Sequence, residues 1–135
     1  LFRVDTPTFL PSSDQATAAQ IDAATTHAED TKGPVLMFGG AADELWPSCQ
    51  LAQIAMDRLQ ASGHSAAYAD EIHCYPDAGH FTNPLNVGFP MTNASQIYEA
   101  NLHAYLALGG TPKGLGHAAR DAWVKTRAFL AAALR

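Results

Sequence analysis

Positive charge is scarce in this chain. Eight Lys and Arg stand against thirteen Asp and Glu, for a net charge of −5 over 135 residues. The eight are scattered, so no basic patch of the kind that tracks a phosphate backbone is expected, and nucleic acid is excluded as a partner. Long apolar runs are missing as well. None approaches the ~20 residues that a membrane-crossing helix needs, so no membrane span is expected. Cysteine is nearly absent. Cys49 and Cys74 lack the paired spacing of a zinc site and read as reduced cytosolic thiols, with one disulfide as the alternative. The first residues show no basic region followed by an apolar stretch, which argues against a signal peptide and for the cytoplasm. No side-chain cluster calls for a cofactor or a metal. The chain opens on Leu1 instead of Met, as a processed product, an expressed segment or a fragment of a longer protein would.

What is present can build a core: 47% of the residues are hydrophobic, enough for one domain at most at this length. Residues 1–32 form a weakly patterned lead-in. Pro7 and Pro11 interrupt it, and Ser13 or Asp14 is positioned to cap a helix through Ala18, Ile21 and Ala24. From residue 33 the pattern sharpens. Gly33-Pro34 is followed by a continuous apolar run over 35–38, as a buried parallel strand shows. Pro47 and Ser48 mark the start of a helix, with Leu51, Ile54, Ala55 and Leu59 at helical spacing and Gly63 as its stop. Residues 68–75 read as a second strand. Residues 80–91, with Pro84, Gly88 and Pro90, read as a loop. Ser95 is placed to cap a short helix through Ile97, Tyr98, Leu102 and Tyr105. After the loop Gly109-Gly110-Thr111-Pro112, a last helix is expected from about residue 116 to 134, with Ala119, Trp123 and Leu130 near one face.

Strand, helix, strand, helix is the alternation of an α/β fold with parallel strands and flanking helices. Two strands alone are not stable in water. An apolar strand left at a sheet edge invites pairing with another strand. The expected neighbour is an upstream part of the same protein or a second copy of the chain.

Asp43 and His80 carry the chemistry. Each follows an apolar run and sits in a tight loop: Gly39-Gly40-Ala41-Ala42-Asp43 after the first strand, and Pro76-Asp77-Ala78-Gly79-His80 after the second. A Ser or Cys nucleophile is weak until an imidazole takes its proton, and the imidazole needs a carboxylate to fix its tautomer and stabilise its charged form. Adjacent parallel strands ending at one edge bring such an acid and histidine together, with Gly39-Gly40 and Gly79 allowing the backbone to turn. The order acid then histidine is that of a triad whose nucleophile comes first. Taken singly, each residue also reads as an ordinary loop acid or loop histidine.

The first triad member is missing. Gly63-His64-Ser65-Ala66-Ala67 is a degenerate nucleophile elbow, but it follows a helix and comes after the acid, so it reads as a helix-ending turn. Cys49 reads as a packing residue on a helix. His73, Cys74 and His80 do not make a metal site, since alternation sends His73 and Cys74 to opposite faces of a strand. Asp70, Glu71 and Glu44 read as solvated acids. Trp46 and Trp123 read as core or near-core aromatics, with Trp46 also placed to border the Asp43 site.

The stretch Gly33-Pro34-Val35-Leu36-Met37-Phe38-Gly39-Gly40 with Asp43-Glu44-Leu45-Trp46-Pro47-Ser48 resembles the acid-bearing segment of the acyl-CoA thioesterase and bile acid-CoA:amino acid N-acyltransferase family. His73-Cys74-Tyr75-Pro76-Asp77-Ala78-Gly79-His80 is similar to its histidine segment. Gly109-Gly110-Thr111-Pro112 and Asp121-Ala122-Trp123 match its C-terminal pattern. The likeness runs from about residue 33 to the end. It implies the C-terminal portion of an α/β-hydrolase domain that acts on acyl-CoA, with Asp43 as the triad acid and His80 as the base. It further implies that a Gly-x-Ser/Cys-x-Gly elbow, the oxyanion hole and an N-terminal β-sandwich lie upstream. The family carries an acidic residue where Ala42 stands. The isolated chain is therefore expected to be inactive without its nucleophile. The competing expectation is a catalytically silent, self-associating or partner-binding remnant of the same fold.

Overall fold

The computed structural model describes residues 17–80 and 96–135. The expected caps Ser13 and Asp14 and the expected loop over 81–91 lie outside the described residues. Helix α1, Ala18–Ala24, opens instead on Thr17. The Thr17 hydroxyl accepts from the Gln20 N–H at 3.3 Å, and the Gln20 side chain accepts from the Thr17 N–H at 2.9 Å. This reciprocal pair is a capping box, which satisfies N–H groups that have no partner inside the helix.

A 3-10 turn at Ala28–Asp30 leads to strand β1, Leu36–Gly40. Helix α2, Ser48–Ala61, follows. Gly63 adopts φ +80° and donates to Gln60 O at 3.1 Å, which ends α2 where a stop was expected. A single helical turn, α3, His64–Ala67, precedes strand β2, Glu71–Tyr75. Strands β1 and β2 pair in parallel, from Leu36 opposite Glu71 to Gly40 opposite Tyr75. The α/β expectation of parallel strands joined by a helix holds at that level.

The next segment differs from expectation. The predicted helix over Ile97, Tyr98, Leu102 and Tyr105 is a hairpin: β3, Gln96–Glu99, runs antiparallel to β4, Ala104–Ala107. Tyr98 and Tyr105 lie opposite each other with ring centroids 5.2 Å apart, a cross-strand aromatic contact of the kind that stabilises sheets. His103 takes a left-handed φ of +48° in the turn. Helix α4, Pro112–Ala133, begins four residues before the expected start. Thr111 caps it, its hydroxyl accepting from the Gly114 N–H at 2.9 Å, and Pro112 occupies the first turn, where a missing N–H costs nothing.

The core lies between α4 and the parallel sheet. Tyr75, Ala78, Leu115, Ala118 and Ala122 form one buried cluster with Phe38 packed against it. Small residues face inward on α4, so the helix approaches closely. Trp123, expected as a core or near-core aromatic, is exposed instead, as is Leu130. On α2 the buried positions are Met56 and Leu59, while Leu51 and Ile54 stand in solvent. In both helices the buried face is rotated from the one that the largest side chains suggest.

Cys49 and Cys74 form a disulfide, with Cα atoms 5.7 Å apart. This corrects the expectation of reduced thiols. The bond crosses β1 at Gly39, the residue that pairs with Cys74. A Cβ at Gly39 would meet the Cys49 N, Cα and Sγ at 2.9–3.1 Å. Gly39 is therefore glycine because a helix start and a disulfide lie over it, and not to turn the chain.

Candidate active site

The ends of β1 and β2 hold the candidate site. After Gly40, the Ala41 N–H donates to Tyr75 O at 2.9 Å and the Ala42 N–H to Ala78 O at 3.0 Å. The loop after β1 is thus stitched to the loop after β2. Ser48, the first residue of α2, adds a second tie: its hydroxyl accepts from Gly40 N–H at 3.0 Å and donates to Gly40 O at 3.1 Å. Asp43 follows on this braced loop and His80 on the other.

The structure brings both expected residues together. His80 Nδ1 lies 3.2 Å from Asp43 Oδ2. The Asp43 side chain is 1% exposed and that of His80 is 14% exposed. The second carboxylate oxygen, Oδ1, accepts the N–H groups of Leu45 at 2.9 Å and Trp46 at 3.2 Å. Asp43 therefore does what an ordinary loop acid does with one oxygen and holds the imidazole with the other. A carboxylate can only accept, so the bond to it places the ring proton on Nδ1 and leaves Nε2 as the basic nitrogen of the neutral ring.

Backbone contacts fix His80 from a third side. Its N–H donates to Leu108 O at 2.8 Å, directly after β4. A Cβ at Gly79 would lie 2.2 Å from Gly109 O and 2.3 Å from Leu108 O, closer than any real contact allows. Gly79 has no positive φ, so its role is close approach and not the sharp turn expected of it. The Trp46 and His80 rings meet at 76° with centroids 4.5 Å apart. Trp46 is 40% exposed, so it borders the site, as one expectation had it, and is not a core residue.

Sequence reading missed three contributors. Leu108 acts through a carbonyl, and Ser48 through contacts with a strand end eight residues earlier; neither has a side-chain signature. The third is Tyr75, whose hydroxyl donates to Asp121 Oδ2 at 2.9 Å. Burial and the neighbouring Asp121 carboxylate push the Tyr75 phenol well above its ordinary pKa. Asp121 is also paired with Lys125, and its carboxyl is held below the usual range chiefly by that ammonium. The Tyr75–Asp121 bond locks α4 to the strand that leads into His80. The match of Asp121-Ala122-Trp123 to the family's C-terminal pattern carried no sign of this partner.

A second His–Asp pair lies at the opposite end of the sheet. His64 Nδ1 is 2.8 Å from Asp70 Oδ2, and its Nε2 is 2.9 Å from Thr31 O. Asp70 also accepts from the Ser65 hydroxyl at 2.6 Å and from the Val35 N–H at 2.9 Å. Its side chain is fully buried, which corrects the reading of Asp70 as a solvated acid. His73 stacks on Phe38 and contacts Glu71 at 2.9 Å. Among the described residues, no group of three or more His, Cys, Asp and Glu is arranged to hold a metal ion. A cavity of about 260 Å³ lined by Pro34, Glu71, Lys125 and Phe129 sits by the start of the strands, away from Asp43 and His80. No helix among the described residues is long and apolar enough to cross a membrane.

Comparison with known proteins adds a lineage to this geometry. The family described as "BAAT / Acyl-CoA thioester hydrolase C terminal" matches residues 7–135. Acyl-coenzyme A thioesterase 6 of Homo sapiens is 38% identical over 101 residues, 75% of this chain and 22% of that protein. Peroxisomal succinyl-coenzyme A thioesterase of Mus musculus is 38% identical over 95 residues, 70% of this chain and 21% of that protein. Acyl-coenzyme A thioesterase 2, mitochondrial, of Rattus norvegicus is 35% identical over 94 residues, 70% of this chain and 19% of that protein. The chain thus spans about a fifth of the length of the curated relatives it matches.

Proposed function

Since the chain belongs to the BAAT / acyl-CoA thioester hydrolase C-terminal family, we propose that it supplies the acid and the base of an acyl-CoA thioester hydrolase of α/β-hydrolase type. The observation that carries this reading is the contact of His80 Nδ1 with Asp43 Oδ2 at 3.2 Å, on two loops that leave adjacent parallel strands at the same edge. In this reading the nucleophile, a Ser or Cys, comes from an upstream part of the same protein. Each strand of the parallel sheet keeps one edge without a strand partner among the described residues, which suits such a neighbour, or a second copy of the chain.

The chemistry runs as follows. His80 Nε2 takes the proton of the nucleophile as it attacks the thioester carbonyl. The carbon–sulfur bond breaks, the CoA sulfur leaves and takes the proton from the imidazolium, and an acyl-enzyme remains. Water then attacks the acyl carbonyl while His80 takes its proton, the bond to the nucleophile breaks as the imidazolium returns that proton to it, and the carboxylic acid departs. Asp43 holds the tautomer and stabilises the imidazolium at each step. An amine acceptor in place of water would give N-acyl transfer by the same sequence. The names of two relatives carry a peroxisomal and a mitochondrial location, so the cytoplasm remains an assignment for cell fractionation to test.

The test is His80→Ala in the full chain that carries the nucleophile, with release of CoA thiol as the readout. Turnover should fall by about 10⁴-fold with the fold intact by circular dichroism. Near-normal turnover would remove His80 from the base role and leave the silent-remnant reading standing.

A further inference from the structure

We infer that Gly109 is a positioning residue of the acid–histidine pair: the Leu108–Gly109 backbone is wedged between the Asp43 loop and the His80 loop and sets their separation. This rests on the reading of the pair as catalytic acid and base. The two loops already meet through the Ala42 N–H and Ala78 O. The segment after β4 touches both. Toward the acid, a Cβ at Gly109 would lie 1.9 Å from Ala42 O and 2.9 Å from the Glu44 N. Gly109 thus rests against both chain neighbours of Asp43. Toward the base, Leu108 O accepts the His80 N–H at 2.8 Å, and the carbonyls of Leu108 and Gly109 fill the space that a side chain at Gly79 would need. One stretch of backbone has the acid on one side and the histidine on the other.

The wedge is anchored. The Leu108 side chain is fully buried. The Thr111 N–H donates to Asp77 O at 3.0 Å, and Pro112 opens α4, whose buried face packs on the sheet. Gly109 itself takes φ +67°, a conformation that glycine adopts without cost. Contact of backbone on backbone has no rotamer to relax, so the spacing it sets is stiff. Catalytic constellations lose function when the supporting shell lets a group drift by a fraction of an ångström. Contacts of the Asp43 and His80 side chains orient those groups, while the wedge fixes where their backbones stand. An extra carbon at Gly109 must move the chain on either side of Asp43. The contact of Asp43 Oδ2 with His80 Nδ1, 3.2 Å in the native protein, moves with it.

The experiment pairs kinetics with a structural readout. In the full enzyme, Gly109→Ala should lower kcat by about tenfold to a hundredfold with KM for acyl-CoA little changed. Nitrogen NMR of the labelled His80 ring should pass from a single Nδ1–H tautomer to a mixture. Gly63→Ala is the control. Gly63 also has a left-handed φ, +80°, but a Cβ there meets nothing within 4 Å, so that variant carries the backbone strain without the displacement. It should lose thermal stability yet keep the native kcat and tautomer. A Gly109→Ala enzyme with native kcat and tautomer would overturn the inference, as would an effect confined to KM or an equal loss of kcat in Gly63→Ala. Where Gly109→Ala does not fold, hydrogen exchange of the unaltered protein decides. The amides of Ala42, His80 and Thr111 bridge the two loops and the wedge, so they should open together as denaturant rises. A His80 amide that opens well before those of Ala42 and Thr111 would equally overturn it. His80→Ala tests the base reading separately. If that variant keeps its turnover, the base reading fails, and the NMR and exchange arms still decide whether the wedge sets the pair.

Discussion

His80 and His64 each turn Nδ1 toward an aspartate, at 3.2 and 2.8 Å, yet the two pairs sit in different surroundings. The difference lies at the other nitrogen and the other oxygen. His64 Nε2 meets the carbonyl of Thr31, so both ring nitrogens face acceptors and both must donate. When both donate, the ring is an imidazolium held in a closed network, with no lone pair with which to take a proton. Its carboxylate is equally committed, to Ser65 and to the N–H of Val35. At the other end of the sheet, Asp43 spends its second oxygen on the backbone of the loop that carries it, and the His80 ring meets the half-exposed indole of Trp46 edge-on. A His–Asp contact is thus no signature of catalysis by itself. What the remaining nitrogen meets decides.

The largest effect should separate the two pairs directly. Asp43→Asn in the full enzyme keeps a side chain of the same shape but offers an amide where a carboxylate stood, and the imidazole then favours the wrong tautomer. Turnover should drop by roughly 10⁴-fold with little change in melting temperature. Asp70→Asn should do the reverse, lowering thermal stability while kcat stays within a few-fold of the native value. A large loss of kcat in Asp70→Asn, with the protein folded, would break the distinction between a catalytic and a structural pair.

A smaller effect sharpens the distinction from the structural side. The Cys49–Cys74 disulfide joins the first turn of α2 to β2, and it lies six residues after Asp43 and six before His80. Closing a loop of this length should contribute about 3 kcal/mol to stability. Cys49→Ser, or reduction by a dithiol, should lower the unfolding free energy by about that amount in urea titrations. The contacts of His64 and Asp70 do not involve either cysteine, so hydrogen exchange should rise at Ala41 and Ala42, whose N–H groups stitch the two site loops, before it rises at Val35.

The candidate site was legible in the sequence because its signal is local. Each of Asp43 and His80 follows its own apolar run, and the order of acid and histidine is visible without knowing any contact. The parallel pairing of β1 with β2 followed from the same runs. Other features depended on partners far along the chain. Asp70 looked solvated beside Glu71, since Val35, which donates to it from 35 residues away, is invisible to a local window. The hairpin of β3 and β4 was misread as a helix because Ile97, Tyr98, Leu102 and Tyr105 fit a helical stripe almost as well as two strands. What decides for strands is the Tyr98–Tyr105 ring contact across the pair, a tertiary fact. The rotated faces of α2 and α4 have a similar cause. Large apolar residues dominate a sequence pattern, whereas the sheet selected Ala118 and Ala122, which let α4 come close.

The smallest effect, and the most diagnostic of the closed pair, is its dependence on pH. The hydrogen bond to Asp70 raises the His64 pKa above its ordinary 6.5, against burial and the nearby Lys32 ammonium, which oppose the charge. A raised folded-state value means that the folded protein holds the proton more tightly than the unfolded chain does. The stabilisation is therefore complete below about pH 6.5 and is lost as pH climbs through the raised value. Asp70 carries the mirror image. Burial pushes its pKa up, but hydrogen bonds from Ser65, His64 and Val35 outweigh it and hold the carboxyl below its ordinary 3.8. Its contribution is present above that value and fades as pH falls beneath it. Glu29 adds to the acid side: its hydrogen bonds from Arg58 lower it to about 2. Unfolding free energies of the 135-residue chain should thus form a plateau between the two ordinary values, with a decline above about pH 6.5. His64→Gln should flatten that alkaline decline while leaving the acid limb, which Glu29 still shapes. A wild-type profile that rises through the same alkaline interval would mean that His64 is neutral in the folded protein, and that its second nitrogen does not donate to Thr31.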